Sequence, residues 1–237
     1  MQLPLFPLHA VVFPHLPLPL HVFEERYRAM AADLVAADSP YGGRLVVAMI
    51  TRGQEVGGST ETQPIGTICE VRSAEQFADG RWILLLVGVA RARLGDVDRG
   101  GPYPLAAVDE LSDSGGDDAS DLVPRVQAAL DTYMATVKRF VARTASVGDH
   151  ATETHDVTAS LDDLLKPVHL PNDPVAASYA VGGVLQVELA RKQRLLELPD
   201  AARRLRAELE LLRRETRLLD DGELPTVPAS DLGYHPN

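Results

Sequence analysis

Strand-like patterns crowd the first half of this chain and helical periodicity takes over in the second, so the sequence predicts an α+β fold. The expected order is a small, strongly curved sheet or β-barrel followed by an α-helical bundle. Three observations carry this. A proline-studded apolar segment opens the chain, an Asp-Gly turn joins two long β-favouring runs, and leucines near the end recur every seven residues.

The opening segment, LPLFPLHAVVFPHLPLPLHVFEERY from Leu3 to Tyr27, contains Pro4, Pro7, Pro14, Pro17 and Pro19. Each proline removes a backbone donor and biases its predecessor to extended geometry, so the segment is expected at a sheet edge rather than in a helix or a central strand. Phe6 and Phe23 are its expected buried anchors, whereas Phe13 and Leu16, beside the prolines, are expected to stay partly exposed. Phe23, Tyr27, Met30 and Leu34 then recur at three and four residues and predict a helix with Glu24 and Glu25 in its first turn.

Arg44 to Ile50, RLVVAMI, predicts a strand covered on both faces, and the polar Gly53 to Pro64 stretch predicts a loop. Ala78-Asp79-Gly80 separates IGTICEVRSAEQF from RWILLLVGVARARL, which predicts a long hairpin. YPLAAVDEL predicts one more strand. Ser112 to Asp121, SDSGGDDASD, holds almost no apolar residue and reads as a linker.

Beyond it Val126, Leu130, Tyr133, Val137, Phe140 and Val141 share one face of a predicted helix with Asp121 as its cap. LDDLL offers a short helical turn, Asp173-Pro174 starts a helix that ends near Gly182-Gly183, and Glu188 to Glu197 forms another. In the last helix Pro199 takes the first position, and Leu198, Leu205, Leu212 and Leu219 form a stripe with Ala202, Leu209 and Thr216. The earlier helices carry complementary stripes, so packing within one bundle is favoured over a dimeric zipper. The division predicted is 1–111 for the sheet part, 112–121 for the linker, 122–219 for the bundle and 220–237 for a loose tail.

With 237 residues, 45% of them hydrophobic, the chain has ample core material, and a formal net charge of -11 disfavours nucleic acid as a partner. One cysteine, Cys69, excludes an internal disulfide, and no basic leader precedes the apolar start; both fit a cytoplasmic protein. The longest apolar run, Trp82 to Val89, falls far short of the ~20 residues of a spanning helix, so no membrane partner is expected.

His9, His15 and His21 recur at six, but the prolines among them break strand alternation and argue against a shared metal. Gly148 to Asp156, GDHATETHD, lacks the HExxH spacing, and a solvated acidic loop is favoured over a metal site at His150 and His155. Cys69 sits among apolar strand residues and reads as a buried small hydrophobe. No nucleotide-binding glycine loop and no G-x-S-x-G is present.

The opening segment resembles the signature of the Lon protease N-terminal domain family: an LPLFPL strand, then Leu18, Pro19, Leu20, His21, Phe23, Glu24, Arg26 and Tyr27. IGTICEV, DGRWILLLVGVARARL and KQRLLELPDAARRLRAELELLRRE look like that family's later strands and closing helices, with Lys192, Gln193, Leu196, Arg204 and Leu205 at its lysine-glutamine, leucine and arginine-leucine positions. The resemblance spans Leu3 to about Leu219 and implies a PUA-like β-barrel followed by a helical bundle. It further implies a substrate-recognition role in protein quality control, without the ATPase and peptidase modules that follow in Lon.

The expected protein is therefore non-catalytic, with no cofactor and no metal, and binds unfolded or extended polypeptide segments, in company with a separate protease or with itself. Phe13, Leu16, Leu18, Trp82 and Tyr103 are the candidate polypeptide-binding residues, each also an ordinary core candidate. The alternatives are a metal-dependent hydrolase using His150 and His155, and an RNA-binding module by fold analogy.

Overall fold

A computed structural model describes residues 1–53, 60–145 and 167–221. Its strand-rich half runs β1 (Gln2–Leu8), β2 (Pro17–Val22), α1 (Glu25–Val35), β3 (Arg44–Arg52), β4 (Glu61–Thr62), β5 (Ile65–Gln76), β6 (Trp82–Asp98) and β7 (Leu105–Leu111). The strands form one mixed sheet in the order β1-β7-β6-β5-β3-β4, with β2 on β6. An added β1–β3 pairing returns the path to its start.

That return corrects the expectation for the opening segment. Among the described residues β2 pairs only with β6 and is an edge strand, but β1 carries Pro4 and Pro7 and still has a neighbour on each side. The pairings are staggered: Gln2 to Pro4 align with β7, and Leu5 to Leu8 align with β3. Each half of β1 serves one neighbour, so few ladder bonds are lost to the missing proline N–H groups.

Alternation along the strands divides the side chains between two layers. Leu3, Leu5, Val46, Ala48, Ile68, Ala92, Ala106 and Val108 meet within the ring of pairings. Phe6, Leu45, Val47, Cys69, Leu84 and Leu86 point the other way, where Tyr27, Met30, Ala31 and Leu34 of α1 cover them. β3 is buried on both faces, as expected. Burial pushes the Cys69 thiol up to about 12. The β5–β6 turn has the expected Asp-Gly step, with Gly80 at φ +83° and its N–H donating to the Phe77 carbonyl. Within the stretch expected as loop, Glu61 and Thr62 form a short strand on β3, while 54–59 lie outside the described residues.

The helical half consists, among the described residues, of α2 (Ala119–Ala145), α3 (Pro174–Val184), α4 (Leu189–Glu197) and α5 (Ala201–Asp220). Val126, Leu130 and Tyr133 of α2 pack with Leu205, Leu209, Leu212 and Leu219 of α5 in one core, the intramolecular packing that the stripes predict. No described helix is long and apolar enough to cross a membrane. Asp173 caps α3 by accepting from Ala176 N at 2.8 Å. Two helix starts differ from expectation. Asp200, not a proline-led turn, caps α5 through Arg203 N at 2.8 Å, which leaves Pro199 before the cap. At α2 the Asp118 carbonyl receives the N–H groups of Asp121 and Leu122, so Asp121 lies in the first turn. The LDDLL turn lies outside the described residues.

The 112–121 stretch is not a free linker. The carbonyls of Ser114 and Gly115 accept from Ala201 N at 2.9 Å and Ala202 N at 2.8 Å, and the Ser112 carbonyl accepts from Arg91. Its polar composition supplies groups that bind the start of α5 to the sheet. Phe13 and Ile65 from the strand-rich half lie in the bundle core, so the two halves share apolar packing as well.

Candidate functional site

β2, β6 and β5 form a three-stranded antiparallel ladder in which Trp82 to Val87 lie between the other two strands. Period-two alternation sends Leu20, Val22, Trp82, Leu84 and Leu86 into the core under α1. The intervening residues face outward. Pro17, Pro19 and His21 of β2, Ile83, Leu85 and Val87 of β6, and Ser73 and Glu75 of β5 stand side by side. Phe23 and Phe77 continue that face at the hairpin end of the ladder.

This face is unusually apolar for one turned to water. Ile83 is 44% exposed, Leu85 38%, Phe77 38% and Phe23 37%. They are four of the six large hydrophobic side chains exposed among the described residues, and scattered single ones would need no explanation. The His21 and Phe23 rings lie 5.9 Å apart, and the Arg81 guanidinium stands 5.9 Å from the Phe77 ring. Arg81 is fixed by Asp79 at 2.7 Å, and hydrogen bonds from the Arg81 backbone and side chain hold the Asp79 carboxyl below its ordinary value. The face is thus a paired ladder with an aromatic at the end of each outer strand and the Arg81 cation beside Phe77.

The residues singled out from sequence lie elsewhere. Phe13, expected partly exposed, is 2% exposed in the bundle core. The reason is Gly182: a Cβ there would come within 2.8 Å of the Phe13 ring, so the glycine leaves the seat that the ring fills. Leu16 packs likewise on Gly183, where a Cβ would meet its Cδ1 at 2.3 Å, and is half-buried. The Gly182-Gly183 pair, expected only to end α3, holds the opening segment against the bundle.

Leu18 is half-buried on the core side of β2, and Trp82 is buried opposite Val22. Tyr103 is 5% exposed and donates to Asp33 Oδ2 at 2.5 Å; burial, reinforced by its bonds to Asp33 and Tyr41, pushes its pKa up. Phe6 is the buried anchor expected, 4.4 Å from the Tyr27 ring. Phe23 is not: Glu24 is the N-cap of α1, so Phe23 precedes the helix and takes the outward parity of β2. His150 and His155 lie outside the described residues. Among the described residues no group of three or more His, Cys, Asp or Glu is placed to hold a metal.

Behind the ladder, Asp113 is held by two buried arginines. Arg91 of β6 and Arg204 of α5 are 3% and 0% exposed and approach its carboxylate at 3.1 and 2.8 Å. Arg204 also donates to Ser178 Oγ at 2.9 Å and stacks 4.1 Å from the Tyr179 ring, whose hydroxyl bonds to Asp113. The remaining Arg91 donors reach the carbonyls of Leu196, Leu198 and Pro199. Burial alone would raise the Asp113 pKa, but the Tyr179 hydroxyl and the two guanidinium groups, Arg204 foremost, hold it below the ordinary value. Gln193 adds a bond to the Ile65 carbonyl at 3.0 Å. These contacts fix the bundle against β5 and β6.

The outward residues Ile83 and Leu85 escape a reading of WILLLV because that run is apolar at every position. The neighbouring PLPLHV does alternate, with Leu18, Leu20 and Val22 at every second place, and pairing the two strands would have exposed the face.

Comparison with known proteins bears on the whole of this arrangement. The model of the ATP-dependent protease La (LON) substrate-binding domain matches residues 2–214. The chain is 27% identical over 218 residues to Lon protease 2 of Myxococcus xanthus and 29% identical over 222 residues to Lon protease of Nitratidesulfovibrio vulgaris. These alignments cover 92% and 90% of the chain and 24% of each relative, so the chain spans about a quarter of their length. Among solved structures it is similar to a Lon N-terminal domain protein from Xanthomonas campestris, with TM-score 0.58, 20% identity, and coverage of 89% of this chain and 98% of that one. It is also similar to the N-terminal domain of Mycobacterium avium complex Lon protease, with TM-score 0.59, 19% identity, and coverage of 90% and 98%. At these identities the structures establish the fold.

Proposed function

The chain belongs to the family of the ATP-dependent protease La (LON) substrate-binding domain, and from that premise we propose that it recognises unfolded or extended polypeptide through the outward face of the β2-β6-β5 ladder. The observation that carries this reading is the exposure of Phe23, Phe77, Ile83 and Leu85 on one side of a paired three-stranded ladder. Removing large apolar side chains from water is favourable by about 25 cal/mol per Å² before the cost of association, and a folded protein keeps most such residues inside. An unfolded chain presents them. The ladder therefore discriminates between folded and unfolded states of one protein without reading a particular sequence.

The action is recognition rather than catalysis, and the partner is a protease that receives the bound polypeptide; the family's substrate-binding role supports both. The ring of pairings through β1, β7, β6, β5 and β3 supports the finer description of the strand-rich half, residues 1–111, as a PUA-like β-barrel, with 122–219 as its helical companion. A cytoplasmic location fits the single buried cysteine.

A titration followed by fluorescence anisotropy tests the reading. Reduced, carboxymethylated lactalbumin should bind, and native lactalbumin should bind at least tenfold more weakly. Equal affinity for the two forms, or binding of neither, would remove the basis for the proposal.

A further inference from the structure

β2 and β5 flank the same stretch of β6, but their outer edges are chemically unlike. Gly88 N donates to the Leu16 carbonyl at 3.0 Å and His15 N to the Gly88 carbonyl at 2.8 Å, which directs the Gly88 backbone toward β2. Phe77 N donates to the Arg81 carbonyl at 2.9 Å, which directs Arg81 toward β5. Direction alternates along an antiparallel strand. Trp82, Leu84 and Leu86 therefore bond to β2, while Ile83 and Leu85 bond to β5.

The registers extend this to the outer strands. On β2 the residues whose backbone turns away from β6 are Pro17, Pro19 and His21, and the first two have no N–H. That edge is blunted against a further strand. On β5, Ser73 and Glu75 bond to β6, so Ala74 and Gln76 turn away from it. β3 aligns with β5 only from Thr67 to Glu70, and among the described residues no strand covers Ala74 or Gln76. Both residues are exposed.

We propose that this open β5 edge takes up an extended polypeptide segment by strand addition, with the segment's backbone pairing to Ala74 and Gln76. The occupant follows from the chemistry: N–H and C=O groups repeating every second residue, about 6.8 Å apart, are matched by another peptide backbone in extended form. Its outward side chains lie beside Ser73, Glu75 and Phe77, so a segment with an apolar residue facing Phe77 and no proline at the pairing positions fits best. The inference rests on the polypeptide-recognition reading and adds where and how the ligand sits.

Amide hydrogen exchange of the intact protein, with and without saturating reduced, carboxymethylated lactalbumin, tests it without a substitution. Exchange at Ala74 and Gln76 should slow at least tenfold on binding, while the His21 amide on the opposite edge changes little. Gln76→Pro should weaken binding at least tenfold, because it removes a donor that points away from β6 and leaves the β5–β6 bonds in place. Binding with unchanged exchange at Ala74 and Gln76 would overturn strand addition and leave the recognition reading intact, whereas failure of the wild-type chain to bind would sink that reading itself. A self-associated dimer in sedimentation that Gln76→Pro converts to monomer would assign the edge to a second copy of this chain and overturn the proposal.

Discussion

Asp113 stands between Arg91 of β6 and Arg204 of α5, one carboxylate oxygen 3.1 Å from the first guanidinium and the other 2.8 Å from the second. One short side chain thereby joins the sheet to the last helix. Both arginines are buried, so removal of the carboxylate leaves two desolvated cations without their counter-charge. Asp113→Ala should cost about 3–5 kcal/mol in urea unfolding. A loss below about 1 kcal/mol would show that the carbonyls around Arg91 and Arg204 suffice.

The same carboxylate gives acid sensitivity a definite sign. Its pKa is depressed in the folded state, so the stabilisation is present above the unfolded value of about 3.9 and is lost as pH falls through the folded value. The stability gap between wild type and Asp113→Asn should be constant near neutrality and close only below about pH 4. A gap that closes at neutral pH would contradict the assignment.

Glu208 predicts the opposite slope. It is fully buried in the bundle, and neither carboxylate oxygen has a hydrogen-bond partner among the described residues. Burial raises its pKa well above the ordinary value, and attraction from Arg204 only partly opposes this. The folded state then holds a proton that the unfolded chain releases above about 4.3, so wild-type stability falls as pH rises past that value. Glu208→Gln should melt progressively higher than wild type as pH rises above about 4, each kcal/mol being worth about 2–4 °C. A difference independent of pH would mean that Glu208 stays ionised throughout.

The Phe13 seat on α3 predicts a reciprocal pair of effects. Phe13→Ala should cost about 3–5 kcal/mol by opening a cavity in the bundle core. Gly182→Ala should cost about 1–3 kcal/mol by forcing a methyl group to within 2.8 Å of the same ring. Near-neutral melting temperatures for both would show that the opening segment is not held there.

What the sequence made legible follows from how each signal arises. Asp79-Gly80 announces its hairpin because the turn needs a positive φ that glycine adopts freely, and the leucine stripe of α5 announces a buried face because helical period and heptad nearly coincide. The outward face was hidden because Ile83 to Val87 is apolar on both sides, so composition cannot say which parity meets water. Phe13 was misplaced because its cover comes from Gly182, far along the chain, and Asp113 because a polar stretch reads as a linker unless its arginine partners are known. Phe23 was read as part of the helical stripe, whereas the helix begins only after its N-cap Glu24, so Phe23 precedes it.

The central claim is that Ile83 and Leu85 serve recognition while Phe13 serves the fold. Anisotropy titration of reduced, carboxymethylated lactalbumin against the Ile83→Ser/Leu85→Ser double variant, with its melting temperature recorded on the same sample, tests it most directly. Affinity should fall at least tenfold, with a melting temperature within a few degrees of wild type. Wild-type affinity in a folded double variant would contradict it.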